Sequence, residues 1–286
     1  MNLEIKHTTT YQYDRSVHLH PHLLYLRPRE TPLLSVVTFA FDIKPSAKLY
    51  WMRDDFDNLP ASIHFSGEAQ TLEIQSTCRV ATADIPPFDF LVRDYAQNFP
   101  FEYEPLHRLN LGIYLEPPPP VEQNKLRDWL QPLLKNAPNE TVSWLSALNQ
   151  RLYQDLKYQR RDEQGIQTPL ETIAKNSGSC RDYASLLIAC ARTQGLAARF
   201  VSGYLYDPNL PHDSPGDMHA WAEVFLPGAG WRGLDPTNGI FCNNAYVPVA
   251  HAVVAESVNP IQGSFFSATP AVTKLSSNVR IKMIDT

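Results

Sequence analysis

The chain has 286 residues, 43% hydrophobic and 19% charged, enough apolar material for a packed core and too much for a disordered chain. Its formal net charge of −5 argues against a general nucleic-acid or anionic-membrane binder, which needs a basic surface, and leaves room for a local basic patch. Proline (24) outnumbers glycine (12), which favours strand edges, turns and stiff connectors over long helices throughout.

Residues 1–83 read as β. Leu3-Glu4-Ile5-Lys6 alternates, as do parts of Val36 to Ile43 and Thr71 to Val80, and turn clusters such as Arg53 to Asn58 separate them. A β-sandwich domain is expected here. Residues 84–120 read as an irregular connector that ends in Pro117 to Pro120, and residues 121–286 as a second domain. In that domain Leu126, Trp129, Leu130 and Leu133 recur at helical spacing, with Pro132 expected to kink or shorten the helix. Val142 to Leu156 suggests a second helix and Pro169 to Ala174 a short third. Ser179-Cys180-Arg181-Asp182 is a helix-start signal, followed by Ala184, Leu187, Ile188 and Ala191, with Gly195 as the stop. Strands are then expected at Ala198 to Tyr206, Met218 to Leu226, Gly230 to Leu234 and Asn278 to Ile284.

The chemistry-bearing positions lie in this second part. With Ser179 as N-cap, Cys180 is the first helical residue, where free N–H groups and the helix dipole favour a thiolate. A nucleophilic thiol needs a base, and the base an orienting group. His219 and Asp235 fall on two strands joined by Pro227-Gly228-Ala229-Gly230. If Phe225 pairs with Trp231, Asp235 lies opposite Trp221, diagonal to His219 and within reach of it; if Leu226 pairs with Trp231, Asp235 faces away. Trp221 shares the face of His219 and is a candidate for the cleft beside it. The Cys180 N–H is a natural oxyanion donor; Asn176 and Trp144 are candidates for a second. Tyr204 and Glu223 read as structural, as does Cys190 inside the helix.

The stretches Gly178 to Ala184, Gly195 to Leu205, His219 to Val224 and Gly230 to Gly239 resemble the bacterial transglutaminase-like superfamily, whose members are often provisionally described as cysteine proteases. Tyr11-Gln12-Tyr13, Leu23 to Pro32 and Asp55-Phe56-Asp57-Asn58 resemble the β-rich domain that precedes its core. The resemblance implies an α+β fold: an N-terminal β-sandwich followed by a papain-like transglutaminase core, with a helix-borne cysteine packed on an antiparallel sheet. It also implies Cys180 as nucleophile, His219 as general base and acid, and Asp235 as orienting carboxylate, acting on a protein or peptide substrate. Where relatives tend to carry Gly-Arg-Asp-Tyr after a histidine, this chain has Glu256-Ser257-Val258-Asn259 after His251.

Competing signals are weaker. His18, His20 and His22 alternate, but no cysteine or carboxylate pair accompanies them, and Asp54 to Asn58 lacks the downstream glycine and glutamate of a calcium loop. No glycine-rich phosphate loop is present. No metal or cofactor is expected, nor nucleic acid or membrane as partner. Cys78, Cys180, Cys190 and Cys242 form no CxxC pair. The N-terminal sequence lacks a basic start followed by an apolar core, so a cytoplasmic protein with reduced thiols is expected. The loop from Asp207 to Asp217 reads as a surface crossover that would wall the cleft at most.

Overall fold

Alternate residues of the first strand, Leu3, Ile5, His7 and Thr9, are buried on one face, as a half-covered strand requires. The computed structural model describes residues 1–161, 165–210 and 218–284. Strand β1 (Asn2–Leu19) pairs antiparallel with β6 (Glu68–Thr82), which pairs with β3 (Leu34–Lys44). A smaller sheet holds β2 (His22–Leu24), β5 (Ala61–His64) and β4 (Lys48–Trp51). Tyr13, Val17, Leu24, Leu26, Ile63, Leu72 and Ile74 form one apolar cluster drawn from both sheets, the core of the expected sandwich. At the other end of the same face, Leu3, Ile5, Cys78 and Val80 join the larger core of the second domain.

Residues 84–120 differ from the expected irregular connector. They carry a 3-10 turn (Asp94–Ala96), α1 (Pro105–Asn110) and α2 (Gly112–Leu115), and Pro120 opens α3 (Pro120–Asn136). Proline suits a first helical position because its missing N–H would have no partner there. The segment also packs: Tyr103, Leu111 and Tyr114 cluster with Ala197, Phe225 and Trp231, and the Tyr103 hydroxyl donates to the Phe225 carbonyl at 2.7 Å. Pro132 does not shorten α3, which runs to Asn136. It lies on the exposed side of the helix, as does Asp128, whose carbonyl gets no intrahelical N–H from the proline.

Helices α4 (Thr141–Asp155), α5 (Pro169–Lys175) and α6 (Cys180–Thr193) follow, with β7 (Lys157–Tyr158) and β8 (Ser177–Gly178) paired parallel between them. The sheet of the second domain has the order β12 (Ile240–Phe241), β11 (Gly230–Asp235), β10 (His219–Leu226), β9 (Ala198–Leu205), β13 (Tyr246–Ala252). Helix α6 packs on β10, and Ala220, Ala222 and Val224 lie in its core cluster. Phe200 and Tyr204 alternate onto that same face of β9, so α6 and the N-terminal sheet share it. His7 of β1 meets the Tyr204 hydroxyl at 3.2 Å there.

The end of the chain corrects the expected domain limit of 121–286. Strands β14 (Ile261–Gln262) and β15 (Phe265–Phe266) pair with β2 and β1, and β16 (Thr273–Met283) pairs with β1 from Leu3 to Tyr13. The return covers a long edge of β1 that would otherwise expose unpaired N–H and C=O groups. A second tie is Asn58. Its side chain accepts from the His251 N–H at 2.9 Å and donates to the His251 carbonyl at 2.8 Å. The acidic stretch around it is thus a turn that docks the two domains. Asn58→Ala leaves both His251 backbone groups buried without partners, and a loss of about 2–4 kcal/mol is expected in equilibrium denaturation.

Candidate functional site

The start of α6 is built around a buried carboxylate. Asp182 accepts from the Ser179 N–H at 2.7 Å, the Ser179 hydroxyl at 2.9 Å, the Gln167 N–H at 2.7 Å and Arg161 at 2.9 Å. Burial works against its charge, yet these donors hold its pKa below the ordinary carboxylate value. A β-carbon on Gly178 would lie 2.8 Å from that of Asp182, so only glycine permits this approach. The network fixes Ser179 at the N-cap and Cys180 at the first helical position, where its N–H has no intrahelical acceptor.

Phe225 pairs with Trp231 and Ala222 with Leu234, the register that aims Asp235 at His219. His219 Nε2 lies 2.7 Å from Asp235 Oδ2. Asp235 is fully buried and also receives the Thr237 N–H at 2.8 Å, the Thr237 hydroxyl at 2.6 Å, Asn238 Nδ2 at 2.7 Å and the Tyr246 hydroxyl at 2.7 Å. Burial would raise its pKa; the bonds from His219, Thr237 and Tyr246 outweigh it and bring the value down to about 2. Burial also opposes the charged imidazolium of His219, but Asp235 and then Cys180, each hydrogen-bonded to it, hold its pKa above the ordinary histidine value. With Nε2 taken by Asp235, Nδ1 is left for the thiol. Cys180 and His219 line one pocket of about 210 Å³, together with Phe200, Ser202, Met218 and Pro260.

Other expected site residues fall elsewhere. Trp221 is 2% exposed, stacked behind the imidazole with ring centroids 6.3 Å apart, and is not among the residues of the Cys180 pocket. Gly203, opposite His219, makes room for it: a β-carbon there would sit 2.6 Å from the indole. Asn176 is an exposed helix C-cap with a left-handed φ of 52°, and Trp144 is a core residue stacked on Phe99 at 4.1 Å. Neither reaches the pocket. Glu223 pairs with Arg199 at 2.7 Å. Burial, then Arg199 and Arg29, bring the His251 pKa down to about 2, so this imidazole is neutral. His18 pairs with Glu68 and His20 with Ser264, while His22 is buried. Of the crossover loop, residues 211–217 lie outside the described residues. Thr237, Asn238 and Tyr246 escape a reading of the sequence; the signal present was Asp-Pro-Thr-Asn, a turn able to fold its polar side chains back onto its own aspartate.

A model of the transglutaminase-like superfamily matches residues 127–236, and one of the bacterial transglutaminase-like N-terminal region matches residues 3–81. An uncharacterized protein of Mycobacterium tuberculosis is 31% identical over 278 residues, covering 92% of this chain and 87% of that one. The chain belongs to the transglutaminase-like superfamily. A Cytophaga hutchinsonii protein provisionally named a cysteine protease shares the fold, with a TM-score of 0.75 at 20% identity over 100% of this chain and 91% of that one. A protein-glutamine gamma-glutamyltransferase of Pseudomonas aeruginosa is 36% identical over 66 residues, 21% of this chain and 10% of that one.

Because its pKa is raised, His219 is kept protonated at neutral pH. A protonated imidazole beside a thiol favours the nucleophilic thiolate, and so favours alkylation at Cys180. Asp235→Asn removes the charge that raises this pKa. The iodoacetamide rate at Cys180 near pH 7 is expected to fall in this variant, read by peptide mass spectrometry. Burial pushes the Cys78 thiol up to about 12 and raises those of Cys190 and Cys242, which keeps them out of the fast phase.

Proposed function

We propose that this member of the superfamily is a thiol-dependent acyltransferase acting on amide bonds of a protein or peptide, with hydrolysis as its outcome. The observation that carries the reading is the 2.7 Å bond from His219 to the ionised Asp235, with the other ring nitrogen left to Cys180 in a shared pocket. In the proposed sequence, the Cys180 sulfur attacks the amide carbonyl carbon and a tetrahedral oxyanion forms. The Cys180 N–H donates to that oxygen. His219 gives its proton to the leaving amine, and the C–N bond breaks to leave a thioester. The imidazole then takes a proton from water, which attacks the thioester and releases the acid and the thiol. Asp235 keeps the ring oriented and favours its charged form.

A second reading replaces water by a primary amine. The local likeness to the Pseudomonas aeruginosa gamma-glutamyltransferase favours it, and the first half-reaction is the same. Hydrolysis is preferred because water is always at hand. A third reading, a non-catalytic binding module, gives no role to a matched thiol, imidazole and carboxylate.

Incubation of casein and a peptide library with a fluorescent primary amine separates the readings. The expected result is cleavage without amine incorporation, abolished in Cys180→Ala and reduced by at least roughly 100-fold in His219→Ala. Incorporation without cleavage assigns transfer. Activity that survives Cys180→Ala contradicts the thiol mechanism.

A further inference from the structure

Beside the Cys180 pocket lies a second cavity of about 440 Å³. The two share Phe200 and Ala255 as wall residues. Ser185, Ile188, Ala189 and Arg192 form its helical side, one stripe of α6 that continues from Cys180 and Arg181. Ile188 is eight residues along the helix from Cys180, which places the cavity about 12 Å from the nucleophile. An extended peptide covers that distance in about three or four residues.

The chemistry of this cavity is one-sided. Glu116, Glu122 and Glu256 line it. The one cation among its described lining residues is Arg192; its Nη2 donates to the carbonyls of Ala198 at 2.8 Å and Val253 at 2.9 Å, and its charge faces that of Glu116. Two acceptors are left over. Gln167 is only 5% exposed; its Nε2 donates to the Ser177 carbonyl at 3.0 Å, while its Oε1 is buried with no partner. Oε1 of Glu122, on α3, is likewise buried with no partner. Orphaned buried acceptors on two separate elements ask for a ligand rich in N–H donors, and three carboxylates against the one guanidinium of Arg192 ask for a positive one. An alkylammonium or guanidinium meets both demands. Glu256 also belongs to the stretch Glu256 to Asn259 at which this chain departs from its relatives' pattern.

We propose that this cavity is a subsite for a lysine or arginine side chain of the peptide substrate, three or four residues from the bond under attack. The placement of the peptide rests on the acyl-transfer reading of Cys180; the recognition of a cation does not.

The test measures binding and turnover separately. Fluorescein-labelled alanine hexapeptides with one glutamine carry lysine, or uncharged norleucine, at each other position in turn. Their affinity for Cys180→Ala protein is read by anisotropy. At one position three or four residues from the glutamine, lysine is expected to bind roughly tenfold tighter than norleucine. Most of that difference should vanish in a background that also carries Glu122→Gln, and part of it with the exposed Glu256→Gln. Equal affinity of the two series at every position overturns the proposal. So does a lysine preference untouched by both substitutions together. Cadaverine that binds as tightly as the best lysine peptide, and loses affinity with Glu122→Gln, assigns the cavity to a free amine and overturns the peptide assignment. Turnover of the same peptides by the unmodified protein tests the other claim. A lysine preference in binding with no Cys180-dependent cleavage or transfer upholds the subsite and rejects the acyl-transfer reading.

Discussion

A carboxylate withdrawn from water stays ionised only where donors replace its hydration. Asp235 meets that condition inside the protein, with His219, Thr237, Asn238 and Tyr246 all donating to it. Everything proposed for the site depends on this interaction. It selects which imidazole nitrogen is left over, turns that nitrogen toward Cys180, and favours a protonated ring. Trp221 and Tyr246 close the space behind the ring, with centroids 5.4 Å apart. The ring is therefore held from the side away from the pocket, and the pocket itself stays open.

The two domains are interlocked. Strand β16 completes the N-terminal sheet after the chain has built the whole sheet of the second domain. Asn58 reaches back to the strand that carries His251. The Glu256 region, between β13 and β14, therefore passes from one domain to the other while forming the wall between the two cavities of α6. This segment lines the two cavities and does not belong to the buried Asp235 network.

Much of this was legible in the residues. The helix-start signal at Ser179, the alternation of β10 and the turn before Gly230 placed Cys180, His219 and Asp235 on the right elements, because local periodicity and capping are short-range signals. The register was left open between two pairings, and the packed sheet has Phe225 opposite Trp231. Contacts distant in sequence were not legible. Nothing in Thr273 to Met283 announces β1 as its partner, since alternation gives a strand its face and not its neighbour. The same holds for Tyr246, whose hydroxyl reaches Asp235 only through the folded sheet. Asn176 and Trp144 failed as site residues because a turn residue and a core aromatic look the same in sequence whichever way they point.

The most direct measurement is a nitrogen-15 NMR titration of histidine-labelled protein, with Cys180→Ala, His219→Ala and Asp235→Asn as controls. The account predicts that the His219 ring in the unmodified protein is doubly protonated at pH 8, and that it loses this charge at a lower pH once Asp235 is neutralised. A His219 ring that titrates with an ordinary pKa, unmoved by Asp235→Asn, would contradict it.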